Sequence, residues 1–214
     1  MFAVHRALDR ALADAPAQIR SVPAGDVERA STLAAYYRDV LSLLQVHHAG
    51  EDELLYPLLA ERVPEHRELF ARMDEQHATV FSGIAPAERA ADRFAASASL
   101  ADASVLDEAL GALRPALSVH LSEEEEQILP IAGRFVSPPE WGALPGHALS
   151  HYQGDRIWLL LGLVFEAMPE DILAATISHM PPPVAAMWMG AGADAFAAEM
   201  ALVRSRSTGT GHPV

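Results

Sequence analysis

Apolar residues recur at helical spacing along nearly the whole chain, and no stretch shows the strict alternation of a half-buried strand. The pattern predicts a first helix over residues 2 to 20, ending near the breaker-rich SVPAGD. Asp26 then opens a long helix to about Arg62, an acid at that position being suited to accept free backbone N–H groups. Pro64 opens a third helix that is interrupted at Pro86 and ends near Ala96, and a fourth runs from near Leu100 to Val136. Pro57, Pro115 and Pro130 lie inside these spans. Proline lacks the N–H and crowds the preceding turn, so each should kink its helix or mark an irregular turn. Four such helices with short connections give an all-α class, an antiparallel four-helix bundle.

Past SPPEW the pattern changes. Residues 140–214 hold 10 of the 44 charged residues, all three tryptophans and five of the seven methionines. Three further helices are expected, near 138–152, 154–179 (interrupted at Pro169) and 182–204. So apolar a segment should pack on the bundle or on a second copy of the chain. The division is therefore 1–136 as bundle, 137–204 as an apolar helical extension and 205–214 as a loose tail.

Composition narrows the chemistry. Half of the 214 residues are hydrophobic, enough for a packed core. The absence of cysteine excludes disulfides, zinc ribbons and thiol catalysis, so any metal must be held by nitrogen and oxygen. A net charge of −14 argues against nucleic acid as a partner, because phosphate neutralisation supplies much of that affinity. The opening MFAVHRALDR lacks a signal layout, and the longest apolar run, IWLLLGLVF, is too short to span a bilayer. The expectation is a cytoplasmic protein with no membrane partner.

Two stretches repeat one another without gaps. VHHAGEDELLYP at Val46 and VHLSEEEEQILP at Val119 both read V-H-x3-E-x-E-x3-P. Helical phasing puts His47 and Glu51 on a stripe with Val40, Leu43, Leu54 and Leu58. His120 and Glu124 share theirs with Leu106, Leu110, Leu113, Leu117, Ile128 and Ile131. His77 lies with Leu69, Phe70, Met73, Val80, Phe81 and Ile84, and His5 with Leu8 and Leu12. Each bundle helix thus carries one inward histidine, and two add an inward carboxylate, while Asp52 and Glu125 are expected to turn toward water. Burying Glu51 and Glu124 unpartnered would cost several kcal/mol each. The chain has no lysine, and no arginine sits on the inner stripes. Cations answer the need: imidazole and carboxylate without sulfur suit iron, manganese or zinc, and two carboxylates among several histidines favour a dinuclear site.

VHRAL, HHAGEDELLYP, DEQH and HLSEEEEQILP, in that order, resemble the hemerythrin-like HHE family of four-helix di-iron proteins over residues 1 to about 136. The resemblance implies two iron ions bridged by carboxylates, with manganese or zinc as substitutes. It implies His5, His47, Glu51, His77, His120 and Glu124 as ligands, Glu51 and Glu124 being the bridges. Oxygen carriers of this kind have a further histidine one turn before His77, where this chain has Met73. His48, Asp74 or water must complete the set, and His48, adjacent to the stripe, is the first choice.

His147 and His151 have ligand spacing in HALSH but are read as a helix surface, and His66, His179 and His212 as structural or exposed. The AAMWMG stretch is read as adaptable packing. A ferritin-like site would need E-x-x-H motifs, and only Asp74-x-x-His77 comes close. Three readings follow, two of them functions of the metal. One is a di-iron protein that binds or senses O2, NO or peroxide. The other is a di-iron oxidase, oxygenase or peroxide-degrading enzyme whose C-terminal extension covers the substrate pocket. A purely structural metal, with a homodimer formed through the C-terminal helices, is a third.

Overall fold

A computed structural model describes residues 1–152 and 154–205. The expected tail from residue 206 onward, His212 included, lies outside the described residues. Helix α1 (Phe2–Arg20) is followed by α2 (Val27–Gly50), whose N–H groups are capped by the Asp26 carboxylate accepting from Arg29 N at 3.1 Å. The chain continues through a π-helical turn (Glu51–Leu55) into α3 (Tyr56–Arg62). After a 3-10 turn come α4 (Arg67–Ser97) and then α5 (Leu100–Glu123), capped by the Ser99 hydroxyl. A second π turn (Glu124–Ile128) leads into α6 (Leu129–Phe135).

The two π turns occupy equivalent places in the duplicated motif. Tyr56 N–H reaches Glu51 O and Leu129 N–H reaches Glu124 O, each five residues back. Pro57 and Pro130 follow immediately; a widened turn takes the proline ring off the preceding carbonyl without ending the helix. The irregular turns expected at these prolines are therefore present. Pro86 and Pro115 break nothing, since α4 and α5 run through them. Both face water, as do Ser82 and Gly111 four residues earlier, whose freed carbonyls can be hydrated.

Each of α1, α2, α4 and α5 packs against two others in the ring order α1–α2–α4–α5, an antiparallel bundle. Gly83 marks a close approach: a Cβ there would stand 2.5 Å from Leu113 Cδ2. At one end the α1–α2 and α4–α5 connections meet, Gly25 N–H donating to Ala98 O at 3.0 Å. Apolar side chains form two clusters. The larger is built on Leu8, Leu12, Tyr37, Leu41, Ile84, Phe94 and Leu110. The smaller gathers Leu55, Leu59, Phe70, Met73 and Ile128 near α3.

The extension comprises α7 (Pro138–His151), α8 (Ile157–Glu166), α9 (Glu170–His179), α10 (Pro182–Met187) and, after another π turn, α11 (Ala193–Arg204). The second expected helix is thus two, parted at Pro169. Helix α7 lies over α2 and its π turn, α8 over α1 and α2, and α11 over α2 and α8. Gly162 admits the Phe196 ring, which an added Cβ would meet at 2.2 Å. The repeat shows the consequence. Val46 on α2 is buried, whereas its counterpart Val119 on α5 is 60% exposed, because only α2 has its outer face covered.

Candidate metal centre

Among the described residues the buried polar side chains are His5, His47, His48, Glu51, His77, His120 and Glu124. They form one polar layer between the two apolar clusters. Their ligand atoms fall into two groups, each drawn together within 4.8 Å: His48, Glu51, His77 and His120, and His5, His47, Glu51 and Glu124. Glu51 belongs to both. Glu124 belongs to the second, and its Oε2 lies 3.0 Å from His5 Nε2 and 4.0 Å from His120 Nε2.

Three histidines are oriented from behind. His77 Nδ1–H donates to Asp52 Oδ1 at 2.7 Å, His5 Nδ1–H to Glu125 Oε1 at 2.7 Å, and His120 Nδ1–H to Gln76 Oε1 at 3.2 Å. Gln76 is itself held, donating to Glu123 Oε2 at 2.7 Å. An acceptor behind each ring places the proton on Nδ1 and turns the Nε2 lone pair inward. Asp52 and Glu125 do reach toward water as expected, Asp52 being exposed and Glu125 half-buried, but each also turns an oxygen back to a histidine. A π turn packs more residues per revolution, so neighbours diverge less and each acid stays close enough to its buried predecessor to reach a histidine.

The layer does not satisfy itself. His5 Nε2, His47 Nε2, both nitrogens of His48 and all four carboxylate oxygens of Glu51 and Glu124 are buried without a hydrogen-bond partner; the close His5–Glu124 approach lacks hydrogen-bond alignment. His77 Nε2 faces His120 Nε2 at 3.2 Å, two inward lone pairs unless one carries a proton. Buried polar atoms almost always find partners, and this many orphans converging in one layer suit a cation held among them. Among the described residues no arginine is buried.

The electrostatics agree. Burial, then repulsion from Glu124, pushes the Glu51 carboxyl well up. Burial pulls Glu124 up too, but the His5 contact and the charges of His47, His5 and His120 outweigh it and hold it down at about 2. Burial drives His47 and His48 well down, and burial with the neighbouring His77 takes His120 to about 4. For His77 burial is outweighed by the hydrogen bond to Asp52 and the close approach of the Glu51 and Asp52 carboxylates, raising it to about 9.

The chain matches the hemerythrin HHE cation binding domain over residues 1–132. It belongs to the hemerythrin HHE family. No curated protein and no solved structure matches it. Membership makes it a metal-binding helical protein, and the two His/Glu groups are where its HHE bundle could hold metal.

All seven sequence-derived candidates lie in this HHE layer. Met73, at the place of the extra carrier histidine, is fully buried in the smaller apolar cluster. His48 stands instead beside His77, ring centroids 3.9 Å apart, and Asp74 stays on an exposed face in neither group. Sequence reasoning missed Gln76 and Tyr56. Gln76 directly precedes a candidate ligand. Tyr56 stacks near His77 at 5.5 Å with its hydroxyl buried and unpartnered, and burial raises its phenol. Its place between the second acid of the motif and the proline was the available signal.

Proposed function

We propose that the chain is a non-haem di-iron protein that binds or senses O2, NO or peroxide. His48, Glu51, His77 and His120 hold one ion and His5, His47, Glu51 and Glu124 the other. The observation that carries this is the pair of buried ligand groups meeting at Glu51, with their inward atoms lacking protein partners. Iron bound there supplies reversible redox chemistry toward a small ligand; manganese and zinc suit the same donors but differ in that respect. The protein's own part is orientation and exclusion. Asp52, Glu125 and Gln76 keep three imidazoles in the ligating tautomer, and the apolar clusters on either side keep bulk water out. Each group offers four ligating residues, fewer than the donors an octahedral ion takes, so exchangeable positions remain. The test is addition of azide or NO to the iron-loaded protein. Prompt spectral change supports the reading, and inertness to both contradicts it.

A second reading, a di-iron oxidase, oxygenase or peroxide-degrading enzyme, draws on one observation. A cleft of about 190 Å³ lies beside the Glu51–Leu55 turn, lined by Leu54, Leu55, Leu58, Val136, Leu144 and the α7 residue Ala143, among others. Under this reading α7 walls a substrate pocket, and Leu144→Trp abolishes turnover while iron stays bound. A cytoplasmic location belongs to the proposal, checked by cell fractionation; no helix among the described residues is long and apolar enough to cross a membrane. So does a homodimer through the C-terminal helices, where Ile172, Met189 and Leu202 are exposed, checked by light scattering.

A further inference from the structure

The extension brings a second kind of donor cluster to the outside of the bundle. Glu53 lies on the π turn after α2, and His147 and His151 lie one helical turn apart on α7. Their ligand atoms gather within 4.8 Å. Glu53 Oε2 is 2.9 Å from His147 Nε2 and 4.0 Å from His151 Nε2, and the two imidazoles stack at 4.0 Å. None of these residues belongs to the inner groups.

We infer that Glu53, His147 and His151 form a separate mononuclear site for a divalent cation of the zinc type, with its remaining position open to water. Four observations carry this. First, the donors are two imidazole nitrogens and one carboxylate oxygen without sulfur. Calcium and magnesium prefer all-oxygen shells, and copper(I) prefers sulfur; zinc takes His and Glu with a free fourth position. Second, the separations suit a small tetrahedral ion. Ligand bonds of roughly 2.0–2.1 Å put ligand atoms about 3.3 Å apart. The two measured separations lie on either side of that, so small side-chain adjustments close the triangle.

Third, His151 is oriented as a ligand. Its Nδ1–H donates to His147 O at 2.9 Å, which leaves the Nε2 lone pair turned toward the Glu53 oxygen. A cation placed between that nitrogen and the carboxylate would be held by both. The same local bond holds His179 Nδ1 to Ala175 O, so it is a device of helix ends; what is particular to His151 is the carboxylate opposite. Fourth, both supports are rigid. Helix α7 starts in a capping box of Ser137 and Glu140, and Glu140 pairs with Arg62 at 2.6 and 2.9 Å. Trp141 and Leu144 pack on the smaller apolar cluster, so the histidines are carried on a docked helix. The Glu53 side chain is 56% and His151 46% exposed, which leaves the ion open to solvent exchange.

The repeat isolates what is new. Glu126, the counterpart of Glu53, has no helix laid over its turn. Only the half of the motif covered by α7 acquires the histidine pair.

The test uses the full chain, freed of metal and dialysed against Zn(II), compared with His151→Ala and Glu53→Gln. Both substitutions are at exposed side chains, and circular dichroism checks that the fold is kept. The wild type should bind one zinc equivalent more than either variant, or hold it more than about 100-fold tighter, since removing a ligand outweighs the loss of an orienting partner. Cobalt(II) should give a visible absorption band in the wild type that is weaker in both variants. Because the difference between proteins is read, inner-layer uptake cancels and the outcome is independent of the di-iron proposal. Equal zinc uptake, affinity and cobalt spectra in all three proteins would overturn the site and leave His147–Glu53 as a hydrogen bond that docks α7.

Discussion

Replacing Glu51 by Gln should change the stability of the metal-free and metal-loaded protein in opposite directions. Without metal, Glu51 is fully buried, and neither oxygen has a hydrogen-bond partner. Glu124 repels it, and of the two imidazoles that approach it, His47 with Nδ1 at 3.3 Å is shifted well down by burial and His77 with Nε2 at 3.4 Å is already held by Asp52. The Glu51 carboxyl is pushed well above the usual range, so at pH 7.5 folding must either take up a proton there or bury the charge, and either costs several kcal/mol. Glutamine is neutral without that cost and leaves an amide whose unmet hydrogen bonds cost about 1–3 kcal/mol. With some loss of the His77 interaction, the metal-free variant should gain about 1–3 kcal/mol, or roughly 2–12 °C in Tm for a chain of this size. With metal the order reverses. Glu51 is common to both ligand groups, so the variant forfeits the linkage stabilisation, about 4 kcal/mol at a thousandfold excess of metal over Kd. The assay is calorimetric melting of both proteins at pH 7.5, after chelation and after anaerobic Fe(II) loading. A metal-free variant that melts below the wild type would mean the protein itself satisfies Glu51. A variant that keeps two irons would remove Glu51 from the ligand set.

Other expectations are as direct. Metal binding at pH 7.5 should release roughly one proton or more, chiefly from His77, held up at about 9, and from Glu51. His47, His48 and His120 are shifted down and already neutral, so apparent affinity should rise with pH to about 9 and then level off; titration calorimetry in buffers of different ionisation enthalpy reads this, and a flat profile between pH 7 and 9 contradicts it. Asp52→Ala should weaken iron binding by about 10–100-fold with the fold intact, because His77 loses the acceptor that sets its tautomer; unchanged affinity by competition with a chelator would deny Asp52 that role. Gly162→Ala should cost up to about 2 kcal/mol, overpacking against Phe196 minus the helical preference of alanine, and should shift Trp188 fluorescence while iron content stays constant. An unmoved melting curve would show that α8 and α11 do not meet there.

Helical periodicity sufficed for the bundle because its stripes are long and the core faces are single-sided. Four things needed the folded structure. The reach of Asp52 and Glu125 depends on π turns, and straight α phasing cannot register a turn that holds an extra residue. His48 breaks the repeat, its counterpart being Leu121, so the duplication that exposed Glu51 and Glu124 could not choose it over Asp74 or water. Pro86 and Pro115 carry the same local signal as Pro57 and Pro130, yet only the latter pair reshapes its helix. The cover of α7 over the Glu53 turn is a tertiary relation between residues about a hundred positions apart, and nothing in the local pattern of HALSH could show it.

The most direct measurement is the iron content of the 214-residue chain after anaerobic Fe(II) loading and desalting, by plasma mass spectrometry against quantitative amino-acid analysis. Two buried ligand groups sharing Glu51 predict close to two irons per chain in the wild type and far less than one in Glu51→Ala. One iron or none in the wild type, or two in the variant, would contradict a dinuclear centre built on these residues.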